Sequence, residues 1–201
     1  MLSGVRVVDC STRLGWLAGR ILGDLGAEVL KIEAPGADLD DTDWLAWNVN
    51  KRLAFLDLGK DADRARLEDA LAGADILIES EPLGGALRAF FDHARLAAAC
   101  PGLIQVTITP FGLSGPRAQW SVSDIEMMAA GGAMSLAGKP GELPVRVTYP
   151  QSPGWAASHA VCGALTALHH KRRTGHGQQV DTSAQAAIIT ALAHAPTYPE
   201  I

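Results

Sequence analysis

Motifs that identify a cofactor or a metal are missing from this 201-residue sequence. No Gly-x-Gly-x-x-Gly follows the first β-branched run, and no glycine-rich loop ends in Lys-Ser or Lys-Thr. The common dinucleotide and P-loop sites therefore have little support. The three cysteines share no ligand spacing, and no histidine pair is joined by a carboxylate at metal-site spacing. We expect no bound metal and no dinucleotide site of the usual Rossmann type.

Positive charge and long apolar runs are also scarce. The net charge is −5 and the longest basic run is residues 171–173, so we expect no nucleic-acid partner. No stretch has the length and apolarity of a membrane span, and no basic segment precedes an apolar run near the N-terminus. We expect no membrane association. An odd cysteine count without a pattern is typical of a reducing cytoplasm, where we expect the protein to act.

A folded α/β domain is what the remaining pattern predicts. Hydrophobic residues make up 48% of the chain and charged residues 19%, which is enough apolar surface for a core. Short β-branched runs alternate with amphipathic segments, which indicates an open, mostly parallel sheet with helices on both faces. The predicted strands are residues 5–9, 28–32, 53–58, 75–79, 103–109 and 178–181. The predicted helices are residues 14–25, 61–71, 85–99 (whole or in two parts), 123–130, 153–173 and 183–193.

Residues 33–50 are predicted to form a long surface loop, and long loops are often functional. Their four aspartates between 38 and 43 lack the spacing of a calcium loop, so solvated charge is favoured over a cation site. Trp44 and Trp47 either cover an adenine or an interface, or pin the loop to its own domain.

Arg13 follows the first strand, where a helix N-terminus could also hold a phosphate. A solvated surface arginine is the alternative explanation. Composition and spacing by themselves predict an α/β domain and leave nucleotide binding open.

A series of segments, in order along nearly the whole chain, resembles the family III CoA-transferases. This group contains formyl-CoA transferase, carnitine CoA-transferase and the α-methylacyl-CoA racemases. One segment alone is weak evidence, but the ordered series is specific. The matching segments are residues 2–9 (LSGVRVVD), 22–33 (LGDLGAEVLKIE), 48–52 (NVNKR), 56–58 (LDL), 74–80 (ADILIES), 111–116 (FGLSGP), 131–134 (GGAM) and 173–181 (RTGHGQQVD).

The resemblance implies a Rossmann-like large domain that binds acyl-CoA and transfers CoA to a carboxylate. In the family an aspartate attacks the thioester and becomes the covalent carrier, which requires an ionised carboxylate near a helix N-terminus. Arg88 is the firmest of the implied CoA contacts, because a guanidinium suits a phosphate. Ala34 and Gly59 depart from the family's usual arginine and lysine, although Lys60 is adjacent to Gly59. The full implied set is Thr12, Arg13, Leu14, Leu56, Lys60, Ser80, Glu81 and Arg88.

The resemblance fails at the nucleophile, because the position of the family aspartate falls on Pro153. No carboxylate occurs among residues 151–155, and we expect none from elsewhere in the chain at this helix start. Ser152 could be proposed as a substitute nucleophile, but a helix N-cap with Pro153 at the first helical position explains it better. The histidine and aspartate pair of the racemases finds no counterpart, and residues 121–124 (SVSD) contain no histidine.

The chain is about half the usual family length, so the resemblance implies one large domain over residues 1–201 without the small domain. In the family two chains interlock, and each active site uses both. We therefore expect a homodimer or a heteromer with a catalytic paralogue. The alternatives are an acyl-CoA isomerase or racemase of the same fold, and a CoA- or nucleotide-binding module without catalysis.

Overall fold

A computed structural model describes residues 1–139 and 141–193 of the chain. The strands are β1 (Arg6–Cys10), β2 (Glu28–Glu33), β3 (Arg52–Phe55), β4 (Ile76–Glu79), β5 (Ile104–Thr109) and β6 (Gln179–Ser183). The α-helices are α1 (Trp16–Asp24), α2 (Thr42–Trp47), α3 (Asp61–Ala72), α4 (His93–Ala99), α5 (Asp124–Ala130), α6 (Ser152–Thr174) and α7 (Ala184–Ala191). A 3-10 helix spans Ala133–Leu136.

The six strands form one sheet in the order β3-β2-β1-β4-β5-β6, and within the described residues every strand pair is parallel. The predicted open parallel sheet is confirmed. The chain adds strands on one side of β1 and then crosses to β4 on the other, so the strand order reverses between β1 and β4. In open sheets of this kind, ligands bind at the carboxyl ends of the strands at such a reversal.

Helices cover both faces of the sheet, as the sequence predicts. One apolar core joins the sheet to α1, α5, α6 and α7, and includes Val7, Ile78 and Ile108 of the central strands. The other core joins the opposite face to α3 and α4, and includes Val8 and Leu77. Successive residues of a strand thus enter different cores, which is the reason these strands read as continuous apolar runs.

The helix α6 lies close to the sheet because its buried side is made of small residues. Its five buried alanines at positions 156, 157, 160, 164 and 167 are at most 1% exposed. A Cβ atom at Gly163 would lie 2.5 Å from Cγ1 of Val180, so a larger residue could not be accommodated without displacing the helix. The predicted stop at Gly175 is confirmed, since its φ of 81° lies in the left-handed region.

Two secondary-structure predictions are wrong. The segment predicted as loop over residues 33–50 contains α2, which Asp41 caps by accepting hydrogen bonds from the N–H groups of Asp43 and Trp44. The helix predicted over residues 85–99 is limited to α4, because residues 85–91 form turns.

Candidate functional site

A cavity of about 440 Å³ opens at the carboxyl edge of the sheet. Its walls come from the turn after β1, the start of α5, the segment before α6 and the first residues of α6. Five polar residues line it, namely Arg13, Ser123, Asp124, Arg146 and Ser152, and Pro153 completes the wall at the start of α6. The cavity therefore combines two arginines, one carboxylate and the first residues of two helices, α5 and α6.

The first turn of α6 is held by Asp124, which is the first residue of α5. Its Oδ1 accepts hydrogen bonds from the N–H of Gln151 (3.1 Å), the N–H of Ser152 (3.0 Å) and the Ser152 hydroxyl (2.7 Å). Ser152 is thus the first helical residue and donates to Asp124, whereas Gln151 occupies the N-cap position. The prediction that Ser152 caps the helix is wrong.

Asp124 also corrects the expectation that no carboxylate from elsewhere in the chain reaches this helix start. The sequence places Asp124 at a helix start of its own, but nothing in its spacing indicates contact with a helix that begins 28 residues later. A side chain that satisfies free N–H groups from another element performs the work of an N-cap.

Two other side chains could serve as nucleophiles, namely the Ser152 hydroxyl in the cavity wall and the Cys10 thiol at the end of β1, and neither is activated. The Ser152 hydroxyl donates its proton to Asp124, whose carboxylate already receives two backbone N–H groups. Burial raises the pKa of the Cys10 thiol far above its usual range, so this thiol stays protonated at neutral pH. Residue 153 itself is a buried proline ring.

A buried ion cluster fixes the turn that carries Arg13. Asp9, Lys31 and Lys51 are each at most 1% exposed at their side chains. The Lys51 ammonium lies 2.7 Å from Asp9 Oδ2 and donates to the Trp16 carbonyl, while Lys31 donates to the Ser11 carbonyl at 2.7 Å. Burial by itself raises the pKa of Asp9, but the two lysines outweigh it and the pKa is lowered.

Three of the predicted CoA contacts lie together at this turn, and two more lie beside it after β4. Thr12, Arg13 and Leu14 precede α1, and Cys10 pairs with Glu79 in the sheet register, so Ser80 and Glu81 follow at the neighbouring strand. A Cβ atom at Gly15 would lie 3.1 Å from Ser80 Oγ, so the turn and Ser80 approach closely. The Ser80 hydroxyl is buried without a hydrogen-bond partner in the described part of the chain.

The remaining predicted contacts lie elsewhere. Leu56 is buried in the core beneath α3, and Lys60 is an exposed residue that pairs with Asp57 at 3.2 Å. The Arg88 guanidinium points inward and donates to the carbonyls of Glu81 and Phe91 and to Glu79 Oε1. Its role as a phosphate ligand stays a prediction, to which this geometry lends no support.

The tryptophans of α2 pin their segment to the domain. Trp47 is 8% exposed and packs edgewise on Trp16 and Tyr149, with ring centroids 6.4 Å and 6.1 Å away. Trp44 donates from its indole nitrogen to Glu33 Oε1 at 2.9 Å. Of the two explanations left open for these tryptophans, the structure supports attachment to their own domain.

Comparison with known proteins settles the family. The model of CoA-transferase family III matches residues 2–199. The chain belongs to CoA-transferase family III. Across residues 1–139 and 141–193, no helix has the length and apolarity needed to cross a membrane. No group of three or more His, Cys, Asp or Glu side chains in those ranges is placed to hold a metal ion.

Curated relatives in this family include two whose names describe subunits. The chain is 32% identical over 211 residues to the succinyl-CoA:(R)-benzylsuccinate CoA-transferase subunit BbsE of Thauera aromatica, covering 98% of the chain and 52% of the relative. It is 36% identical over 213 residues to the succinyl-CoA–L-malate CoA-transferase alpha subunit of Chloroflexus aurantiacus, covering 98% and 50%. The chain thus spans about half the length of these relatives.

The fold agrees with a solved structure. A CAIB/BAIF family protein from Brucella suis superposes with a TM-score of 0.91 at 29% sequence identity, over 97% of this chain and 56% of that one. The parallel sheet and its helices are therefore shared with that protein.

Proposed function

We propose that this chain is a non-catalytic component of a family III CoA-transferase, in which a partner chain supplies the nucleophile. Membership of the family supports CoA transfer between an acyl-CoA and a carboxylate as the reaction of the whole enzyme. The observation that supports the proposal is the Pro153 ring, which lies in the cavity wall at the start of α6, the position to which the sequence resemblance assigns the family aspartate.

The chemistry of the cavity supports this proposal. Covalent transfer from a thioester requires a group that can attack the carbonyl and later leave, and a proline side chain can do neither. The Cys10 thiol is kept protonated by burial, and the Ser152 proton is directed at Asp124. The Asp124 carboxylate also lines the cavity, but its Oδ1 already accepts three hydrogen bonds from residues 151 and 152. We therefore propose that the chain positions CoA or supports a partner's site and does not itself carry the transferred group.

We propose that CoA lies in the crevice between the carboxyl ends of β1 and β4. Thr12, Arg13 and Leu14 would form one wall, and Ser80 and Glu81 the other. The Ser80 hydroxyl lies buried between them without a hydrogen-bond partner among residues 1–139 and 141–193, so a ligand that reached it would satisfy it. Arg13 supplies positive charge beside the start of α1, where free N–H groups favour a phosphate. Three predicted contacts would then lie at the edge of this site or stabilise the fold instead of binding CoA, namely Leu56, Lys60 and Arg88.

The partner in this proposal is a second chain of the same family, either another copy or a paralogue that carries an aspartate at the position of Pro153. Two relatives are named as subunits, which supports an assembly of unlike chains. This chain would correspond to the large domain over residues 1–201, with the small domain supplied by other sequence.

The substitution Pro153→Asp tests the proposal. The control is Pro153→Asn, because asparagine has the size of aspartate but cannot ionise. Each protein is mixed with succinyl-CoA, and the intact mass is measured before and after addition of a dicarboxylate acceptor. We expect a covalent CoA adduct in P153D, none in P153N, and none in the wild-type chain. Turnover of succinyl-CoA by the purified wild-type chain alone would contradict a non-catalytic role.

A second candidate is an acyl-CoA isomerase of the same fold that uses Asp124, since this carboxylate lines the cavity. Against it, Oδ1 of Asp124 already accepts three hydrogen bonds from residues 151 and 152. Exchange of the α-proton of an acyl-CoA for deuterium by the wild-type chain, lost in Asp124→Asn, would favour this candidate. Absence of exchange in both proteins would remove it.

A further inference from the structure

The Arg13 guanidinium, which faces the cavity, is already occupied by carboxylates of the same chain. Its Nη1 lies 3.6 Å from Asp41 Oδ2, and its Nη2 forms an ion pair with Asp43 Oδ2. The guanidinium also lies over the Trp47 ring, 5.9 Å from its centroid. Any anion that enters the cavity to bind Arg13 therefore meets two carboxylates in the same place.

The acidic segment is linked to the far wall of the cavity as well. The Tyr149 hydroxyl donates to Asp43 Oδ1 at 3.0 Å, and the Tyr149 ring packs edgewise on Trp47. Tyr149 belongs to the segment that contributes Arg146 and Pro150 to the cavity wall. Asp43 thus links Arg13 of the turn after β1 to Tyr149 of the segment before α6, and both segments contribute residues to the cavity wall.

The ion pairs are placed where they can be exchanged for a ligand. The Arg13 side chain is 47% exposed and the Asp41 side chain 36% exposed, so solvent screens their attraction and this pair is weak. The Asp43 side chain is only 14% exposed, so its pair with Arg13 is less screened and is the stronger of the two. Asp41 keeps its Oδ1 on the N–H groups of α2 whether or not its Oδ2 holds Arg13. Releasing Arg13 therefore leaves the cap of α2 intact.

We infer that Asp41 and Asp43 act as an internal competitor for Arg13, forming a strap across the cavity that an anionic ligand must displace. The inference rests on the proposed function in taking CoA as that ligand, and the chemistry recognised is a phosphate group. Displacement frees Asp43 from Arg13 and opens its link to Tyr149, so the affinity for CoA is set partly by the strength of the strap.

The test compares Asp43→Asn with Asp40→Asn, which removes the same charge from the same segment but from a residue outside the Arg13 contacts. Calorimetric titration of each protein with CoA and with inorganic pyrophosphate gives the Kd values. We expect D43N to bind CoA and pyrophosphate about two- to fivefold more tightly than D40N, the range for loss of one partly exposed ion pair.

A second variant, Tyr149→Phe, removes the hydrogen bond from the Tyr149 hydroxyl to Asp43 without changing any charge. We expect a smaller tightening in the same direction, and faster backbone hydrogen exchange over residues 42–47 when CoA is added to the wild type. Circular dichroism checks that each variant is folded.

The outcomes separate the two proposals. If the wild type binds CoA and D43N binds it no more tightly than D40N, the strap is wrong, while CoA binding by this chain stands. If no variant binds CoA while D43N gains affinity for pyrophosphate over D40N, the strap stands and the CoA site is wrong. If neither ligand binds any variant, both proposals are overturned.

Discussion

The neighbouring strands β1 and β4 each carry a buried carboxylate at the carboxyl end, and the two carboxylates are neutralised in different ways. Asp9 of β1 faces α1 and is surrounded by two buried lysines. Glu79 of β4 faces the opposite side and is met by one partly exposed arginine and by neutral donors from Thr107, Gln105 and the Glu81 N–H. Both carboxylates are 0% exposed.

The difference shows that burial alone does not decide the charge of a carboxylate. Burial raises the pKa of both groups, and for Glu79 it prevails, so the pKa of this carboxyl lies above its usual value. For Asp9 the two ammonium groups reverse the effect and its pKa is lowered. The end of β1, which positions the turn carrying Arg13, is thus held by one carboxylate between two ammonium groups. The end of β4 is held by one arginine and by neutral donors around a carboxyl whose pKa is raised.

The largest expected effect on stability comes from removing one cation at the carboxyl end of β1 and, separately, one at the carboxyl end of β4. We expect Lys51→Met to lower the free energy of unfolding by about 3–5 kcal/mol, because it leaves a buried carboxylate with an incomplete set of partners. Arg88→Met should cost about 1–2 kcal/mol, because Glu79 keeps its neutral donors from Thr107, Gln105 and the Glu81 N–H. Urea unfolding at pH 7 measures both, and equal losses would contradict the contrast between the two ends.

An intermediate loss of stability is expected from adding a side-chain atom next to Asp9 at the carboxyl end of β1. A Cβ atom at Gly19 would lie 2.3 Å from Asp9 Oδ2 and 3.0 Å from Lys51 Nζ, so Gly19→Ala must displace the ion pair at a cost of about 1–3 kcal/mol. Gly23→Ala in the same helix is the control, since its nearest neighbour would be Val29 Cγ2 at 3.4 Å. Thermal unfolding should show G23A at or above wild-type stability, and equal destabilisation by both would argue against a specific role for the Asp9 site.

The smallest expected effect is on the pH dependence of stability, which should have opposite signs for Glu79 at the end of β4 and Asp9 at the end of β1. Because the native pKa of Glu79 is raised, its contribution to stability falls as the pH rises from the unfolded value of 4.5 toward the native one. Because the native pKa of Asp9 is lowered, its contribution is present above 3.8 and is lost as the pH falls toward the native value.

Unfolding free energies of the wild type, Glu79→Gln and Asp9→Asn across pH 3–7 check these signs. The advantage of the wild type over E79Q should shrink as the pH rises, whereas its advantage over D9N should grow. Parallel curves for the two variants would show that the two carboxyls titrate alike.

The sheet could be predicted from the sequence because its strands are short β-branched runs whose side chains are buried on both faces. The same reasoning missed α2, whose stability depends on Trp47 packing against Trp16 and Tyr149, which lie far away in the chain. It also extended α4 backward over residues 85–91, where turns place Arg88 against Glu79. Contacts between distant residues, rather than local preference, decided both segments.

For the candidate site, the sequence alone showed that residue 153 has no carboxylate, but it did not show which side chains contact the start of α6. Pro153 and the cluster of Thr12, Arg13 and Leu14 after β1 are visible in sequence order. The contact of Asp124 with the start of α6 depends on how α5 packs, and the pairing of Arg13 with Asp41 and Asp43 depends on where α2 lies. Neither leaves a local signal.

The attachment of Asp124 to Gln151 and Ser152 has a consequence for how such a subunit could arise. Since an outside residue holds the beginning of α6, the side chain at position 153 contributes no hydrogen bond to folding. Under the proposed function, a change in one codon there would therefore add or remove the nucleophile while the surrounding architecture persists. Duplicated copies of one gene could in this way diverge into a catalytic subunit and a non-catalytic subunit.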